Sequence, residues 1–322
     1  MVYRFKAHAA CALSVISLIA ANARAAETNP LFSVSTLPFQ APRFDQIKDS
    51  DYAPAFEKGM ADHLREIQAI ADNRAAPDFE NTIVAMERSG RLLDRVGETF
   101  FAVYQANGDD ALNGVQSAEA PRLSQHWDSV YLNARLFQRV KTLYDRRAAL
   151  SLNDEQAMLL DVYYQQFVHA GALLSAPDKR RLEALNTRIS TLETLYAQKL
   201  VASARDAALV VDSAQALAGL DAGEVASASK AAEARKLTGK WVVPLQNTTQ
   251  QPALSSLTRR ETRQTLFQQS WTRAEKGDAN DTRAIISELA QLRAQKAALF
   301  GYPDFASYTL YDQMARTPQA VE

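Results

Sequence analysis

Apolar residues recur every three or four positions along most of the chain from about Asp51 onwards, which is the spacing of amphipathic helices. The clearest case is residues 175–206, "SAPDKRRLEALNTRISTLETLYAQKLVASARD". Ser175 is a suitable N-cap there, and Asp178 lies near the positive end of the helix dipole. One stripe of this helix is apolar and predicts a buried face: Leu182, Leu185, Ile189, Leu192, Leu195, Tyr196 and Leu200.

Turn-forming residues divide the rest of the first two hundred positions. Residues 26–50 carry three prolines among aromatics and predict an extended arm instead of a helix. A break is predicted at Ser89–Gly90. The stretch Asn107–Pro121, "NGDDALNGVQSAEAP", is rich in turn residues and predicts a loop, followed by helices over 122–149 and 153–172.

The pattern changes after residue 206. Two short β-like runs, Ala208–Val211 and Lys240–Leu245, flank an alanine-rich helical segment, with predicted turns at Gly219 and Gly239. They predict a small sheet or hairpin. From Ser255 the pattern is helical to the end, with breaks at "EKGDAN" and "GYPD". The fold class is therefore mainly α, with a small β element near residues 208–245.

Composition supports a globular protein: 322 residues, 47% of them hydrophobic, with a formal net charge of −1. The charge gives no sign of a nucleic-acid partner. The basic "MVYRFK", an apolar run and small residues before Ala26 predict a signal peptide over residues 1–25, cleaved after Ala25. We therefore expect a periplasmic protein without a membrane anchor. Cys11 lies within the signal peptide, so the mature chain has no cysteine and relies on its core.

The sequence offers few candidates for chemistry. Its three histidines outside the signal peptide are His63, His126 and His169, and no two have the spacing of metal ligands on one helix. The H-E-x-x-H motif is absent. The favoured interpretation is that all three are partly buried or surface histidines rather than a convergent group.

Two further patterns have a structural explanation. Ser227–Lys230, "SASK", fits S-x-x-K, but the S-D-N and K-T-G partners of penicillin-binding chemistry are absent, so a chance match is favoured. An arginine-rich helix could bind a carboxylate or phosphate; a solvated face paired with Glu261 and Glu275 is favoured. Its arginines are Arg259, Arg260, Arg263 and Arg273, and we expect Leu266, Phe267 and Trp271 in the core.

Several segments together resemble the thimet oligopeptidase family of zinc metallopeptidases, and its bacterial peptidyl-dipeptidases in particular. The first is the arm with the first helix, "NPLFSVSTLPFQAPRFDQIKDSDYAPAFEKGM". The second is "APDFENTIVAMERSG", which contains the Phe-Glu-Asn-Thr segment of the family at Phe79–Thr82. Further on, "GKWVVPLQNTTQQPAL" precedes "TRRETRQTLFQQSWTR", and "LAQLRAQKAALFGYPDFASYTLYDQMA" follows. The resemblance covers residues 28–322; their order and spacing carry it, since no single segment is diagnostic.

The resemblance implies the N-terminal lobe of a two-lobed helical peptidase that ends before the zinc-binding helix. It divides the chain into the signal peptide, an N-terminal helical region over 26–250 and the start of the catalytic region over 251–322. The complete enzyme would bind zinc through two histidines and a glutamate and hydrolyse short peptides by releasing C-terminal dipeptides. No catalytic, cofactor-binding or metal residue can be assigned on this chain, which we expect to be inactive and zinc-free without the C-terminal half.

A second hypothesis is a stand-alone periplasmic helical binding or scaffold protein. The reading frame after codon 322 would separate the two hypotheses. If later helices normally cover the end of this chain, apolar surface should be exposed after about residue 280. The residues concerned are Ile285, Ile286, Leu289, Leu292, Leu299, Phe305, Tyr308, Leu310 and Tyr311.

Overall fold

The computed structural model describes residues 29–322. The predicted signal peptide, its cleavage site and Cys11 lie outside the described residues. The chain divides into two compact units, one up to Arg188 and one over Ile189–Glu322. Both are built mainly of α-helices, which confirms the predicted fold class.

The first unit is helical after a short arm. The arm contains 3₁₀ turns at Pro30–Phe32 and Pro38–Gln40, in agreement with the prediction that it is not an α-helix. The helices that follow are α1 Asp49–Ala71, α2 Ala85–Glu87, α3 Arg91–Asn107, α4 Asp110–Tyr131, α5 Ala134–Asp145, α6 Asp154–His169 and α7 Ala176–Asp206, the last continuing into the second unit. Ser175 Oγ accepts the backbone N–H of Asp178 at 3.3 Å, which confirms the predicted N-cap of α7.

Two apolar clusters hold the first unit together. One joins the arm to α1, α3 and α4 through Leu31, Phe56 and Phe100, each at most 2% exposed. The other joins α1 to α5 and α6 through residues such as Ile67, Val140 and Phe167. Burial of side chains of this size contributes roughly 1.5–3 kcal/mol each. The helices that carry the site below are therefore fixed by both clusters.

The predicted loop at Asn107–Pro121 is wrong, because α4 begins at Asp110 and continues through Pro121. The Asp109 carboxylate caps this helix by accepting the N–H of Leu112 at 2.9 Å. Four residues of α4 are buried at helical spacing: Leu112, Glu119, His126 and Val130. This buried face outweighs the low helix propensity of Asn113, Gly114 and Pro121 within α4.

The predicted helix over 122–149 is interrupted. Tyr131 ends α4, and the Asn133 side chain caps α5 by accepting the N–H groups of Arg135 and Leu136 at 3.0 Å. A 3₁₀ turn at Arg147–Ala149 then follows α5. The internal cap at Asn133 explains why one apolar pattern gives two helices.

The Phe79–Thr82 segment lies in a π-helical turn, Phe79–Val84, which leads into α2. Arg139 of α5 is 6% exposed and holds the chain on the N-terminal side of this turn. Its guanidinium group donates to the carbonyl oxygens of Asn73 and Ala75 at 2.8 and 3.1 Å and to Asn81 Oδ1 at 2.5 Å. These carbonyl groups lie outside a regular helix and so lack helical hydrogen-bond donors; the buried Arg139 guanidinium group supplies the donors instead.

The second unit contains the predicted β element. Strands β1 Leu209–Val211 and β2 Trp241–Val243 pair antiparallel, with Val210 opposite Val242. The alanine-rich helix α8, Ala222–Ala234, lies between them in sequence. Gly219 has a φ of +103°, and a Cβ there would approach Ser256 O to 2.1 Å, so this turn requires glycine.

Five more helices complete the second unit in the described residues: α9 Gln250–Ser256, α10 Arg260–Trp271, α11 Arg283–Leu299, α12 Phe305–Thr309 and α13 Pro318–Val321. Leu266 of α10 is buried as predicted, but Phe267 and Trp271 are 51% and 74% exposed and stack on each other at 5.6 Å. The buried residues of α10 are Thr262, Leu266 and Ser270, which define a different helix face.

The end of the chain is less exposed than the sequence analysis expected. Ile285, Leu289 and Tyr308 are at most 8% exposed, whereas Ile286 is 50% exposed. The other residues named there are partly buried. The predicted boundary between residues 250 and 251 stays a prediction, since it was drawn on resemblance and not on compactness. None of the helices described combines enough length and apolar character to cross a bilayer.

Candidate functional site

Two of the three histidines meet inside the first unit. His63 projects from α1 and His126 from α4, and His63 Nδ1 lies 2.8 Å from His126 Nε2. The two residues are 5% and 4% exposed, so the expectation of partly buried or surface histidines is wrong for both. Spacing along the chain could not reveal this pair, because packing of α1 against α4 brings together positions 63 residues apart. His169 is partly buried at the end of α6, as expected.

Both imidazoles are held in the neutral form at neutral pH. Burial and, to a lesser extent, the charge of the neighbouring His63 together lower the pKa of His126 to about 4. Burial also lowers the pKa of His63, while the carboxylates of Glu66 and Asp94 oppose this change. In a neutral pair one ring donates its N–H and the other accepts, which satisfies both facing nitrogen atoms with a single proton.

Gly90 fits against the His63 ring. Its φ is +76°, and a Cβ at this position would lie 3.3 Å from the Cγ and Cδ2 atoms of His63. The Gly90 N–H donates to Glu66 Oε2 at 2.7 Å. Glycine is therefore required both by the backbone conformation and by the close approach of the ring.

A cavity of about 210 Å³ adjoins His63. Its polar and aromatic lining comes from α1, α2, α3, α4 and α6 and the turn before α3: His63, Glu87, Ser89, Asp94, Trp127, Tyr131 and Tyr163, with Ile67, Met86 and Val130 as the apolar part. We call it the His63 cavity. The Tyr163 hydroxyl donates to Glu87 Oε1 at 2.6 Å, and burial together with this bond raises the pKa of Tyr163. Burial raises the pKa of Asp94 as well.

The described residues do not fit a zinc site. None of their groupings brings together three histidine, cysteine, aspartate or glutamate side chains suited to holding a metal ion. The histidine pair uses one nitrogen of each ring on the other, whereas zinc sites have three or four protein ligands. That the chain binds no metal stays a prediction.

The S-x-x-K pattern occupies a different place. Ser227 lines a cleft of about 480 Å³ in the second unit with Asp221, Glu224 and apolar residues. Lys230 is exposed and does not line this cleft, and no histidine, lysine or arginine does. Ser227 thus lacks the lysine partner that the S-x-x-K pattern requires, in agreement with a chance match.

The arginine-rich helix shows no convergent anion site. Arg263 donates to the carbonyl of Leu257 at 2.6 Å, and Arg273 donates to that of Ser270 at 2.7 Å. Arg259 and Arg260 are exposed at the start of α10. Two of the four guanidinium groups therefore cap backbone carbonyls, a role that the sequence did not indicate.

Most of the His63 cavity has no signal in the sequence. Asp94, Trp127 and Tyr163 lie on three different helices, and no motif links them. The single local signal is "HWDSVY", where His126 and Trp127 are adjacent and Tyr131 follows on the same helix. Such an aromatic run also fits a core helix, so only the tertiary packing identifies the cavity.

The chain is similar to known peptidases. Residues 253–322 match the model of Peptidase family M3. Over 91% of its length the chain is 48% identical to the dipeptidyl carboxypeptidase of Salmonella typhimurium and 47% identical to that of Escherichia coli. It is 25% identical to oligopeptidase A of E. coli over 91% of its length.

These similarities confirm the resemblance to a metallopeptidase family that the sequence segments predicted. The chain spans 43% of the length of each of these three relatives. The His63 cavity lies outside residues 253–322, the part that matches the family model.

Proposed function

We propose that this chain forms the N-terminal part of a zinc-dependent peptidyl-dipeptidase that releases dipeptides from the C-terminus of short peptides. The observation that carries the proposal is the 48% identity to a dipeptidyl carboxypeptidase over 91% of the chain. Zinc and the groups that activate water would come from sequence that this chain does not contain, because it has no H-E-x-x-H. The residues present would supply helical structure and part of the substrate-enclosing wall.

A chimera tests this proposal. The matching segment of the S. typhimurium dipeptidyl carboxypeptidase is replaced by the corresponding residues of this chain, and dipeptide release from a blocked short peptide is measured with and without a chelator. We expect chelator-sensitive release by the chimera. The same relative with the segment deleted is the control, and we expect it to be inactive. A folded chimera without activity would contradict the proposal.

The chain by itself provides a second test. We expect no stoichiometric zinc by metal analysis and no release of dipeptides, since the described residues offer no grouping of ligands. Tight one-to-one zinc, or chelator-sensitive cleavage by the chain, would show that it carries a site of its own.

We further propose that the protein is exported to the periplasm and begins at Ala26. The supporting pattern is the basic start, the apolar run and the small residues Ala23 and Ala25 before the cleavage site. The intact mass of protein recovered from the periplasm tests it. Material that retains "MVYRFK", or a cut well inside the proline-rich arm, would contradict it.

A further inference from the structure

The lining of the His63 cavity combines two features that favour a positively charged ligand. Glu87 and Asp94 supply carboxylate oxygens, and Trp127, Tyr131 and Tyr163 supply aromatic rings. None of the ten lining residues is lysine or arginine. Aromatic faces and carboxylates both attract cations, and this applies here although Glu87 is exposed and Trp127 is 38% exposed.

The hydrogen bonds already made inside the cavity leave acceptors for a ligand. Glu87 Oε1 accepts the Tyr163 hydroxyl at 2.6 Å, and its second oxygen remains as an acceptor. His63 Nδ1 contacts His126 Nε2 at 2.8 Å, so the Nε2 atom of His63 is not engaged in that contact. A cation that carries N–H donors matches these acceptors better than a spherical ion does.

Size limits the ligand further. The share of one water molecule in the liquid is about 30 Å³, so the cavity has room for about seven waters or a similar number of heavy atoms. That excludes a peptide of several residues but admits the head group of an amine or a guanidine. The cavity also lacks the grouping of three ligands that a metal ion requires.

From the cavity, its aromatic walls and its two carboxylates, we propose that the His63 cavity binds a small organic cation with N–H donors, such as a guanidinium or primary ammonium group. Asp94 and Glu87 neutralise its charge, and Trp127 lies against its face. Burial raises the pKa of Asp94 and the positive charge of Arg91 opposes this change, so Arg91 competes with a ligand for this carboxylate. The proposal is independent of peptidase activity, and binding alone tests it.

Trp127 provides the signal. The chain has three tryptophans, so Trp241→Phe together with Trp271→Phe leaves Trp127 as the sole reporter. Its fluorescence is titrated with methylguanidinium chloride and, separately, with N-methylurea, a neutral molecule of the same size and shape. Sodium chloride at equal concentration controls for ionic strength. We expect saturation by methylguanidinium with a Kd of about 1 mM, and no saturation by N-methylurea.

Variants then test the assigned residues. Asp94→Asn should raise the Kd about tenfold, and Glu87→Gln, which keeps an acceptor for Tyr163, should raise it several-fold. Glu155→Gln is the matched control, because Glu155 is exposed on α6 and does not line the cavity, and its Kd should be unchanged. Circular dichroism confirms that each variant is folded. Equal binding of N-methylurea, or an unchanged Kd in both Asp94→Asn and Glu87→Gln, would overturn the proposal.

Discussion

The buried histidine pair should make the stability of the protein fall as the pH drops below neutrality. Unfolded histidine takes up a proton near its ordinary pKa of 6.5, whereas folded His126 resists until about pH 4. The unfolded state therefore binds more protons throughout this interval. Stability is fully present above pH 6.5 and is lost progressively as the pH falls towards 4.

The size of the effect follows from the pKa of His126. The difference between 6.5 and about 4 corresponds to roughly 3 kcal/mol of preference for the neutral ring. Solvent reaches part of the site through the cavity, so about 2 kcal/mol is a better expectation for the full interval. Between pH 7.5 and 5.5, one such histidine should lower the free energy of unfolding by about 1 kcal/mol.

Urea unfolding at pH 7.5, 6.5 and 5.5 measures this loss. We compare the unchanged chain with His126→Gln, whose amide can still donate to His63, and with His169→Gln as the matched control. The carboxylates of Glu66 and Asp94 also interact with His63, but they are common to all three proteins. We expect the loss in the unchanged chain and in His169→Gln, and a clearly smaller loss in His126→Gln. Equal losses in all three proteins would refute the reasoning.

Three further predictions concern stability. Gly90→Ala should lower the free energy of unfolding in urea by about 1–2 kcal/mol, because Gly90 has a positive φ. Gly97→Ala is the control: its Cβ would lie in open space on α3, so this change should be neutral or stabilising, and equal effects of the two changes would contradict the prediction. Arg139→Lys should lower the free energy of unfolding by about 2–4 kcal/mol, because an ammonium group cannot reach all three acceptors of the guanidinium group. An unchanged urea midpoint would argue against the importance of these hydrogen bonds. In hydrogen exchange, residues 283–322 should exchange faster than Ala176–Asp206; uniform protection to the end would favour the stand-alone protein.

The spacing of apolar residues along the sequence correctly predicted the elements that bury a single, regularly spaced face. The cap of α7, the pair of short strands and the breaks at Ser89–Gly90 and Gly239 are all present. Each depends on residues close in sequence. The predicted apolar stripe of α7 is buried from Leu182 to Leu192, but Leu195 is 39% exposed, so that part of the prediction is wrong. The loop prediction at Asn107–Pro121 failed because the turn residues there were weighed singly, while Leu112 and His126 bury one face of a continuous helix.

The site could not be predicted for a related reason. His63 and His126 look separate along the chain, and their contact depends on how α1 packs against α4. Phe267 and Trp271 show the opposite error, since helical spacing indicated burial but the buried face of α10 runs through Leu266. A pattern shows that a helix has a face, but the packing of other helices decides which face is covered.

Arg139 has a consequence for the order of events in folding. Its three acceptors lie 58 to 66 residues earlier in the chain, so these contacts close a long loop and cannot form until α5 has docked. Contacts of this kind tend to be absent from the folding transition state, where local helices and a few apolar contacts come first. Loss of this guanidinium should then leave the folding rate nearly unchanged and accelerate unfolding. The arginine would therefore set the unfolding rate of the irregular turn around Phe79, and hence its lifetime once folded.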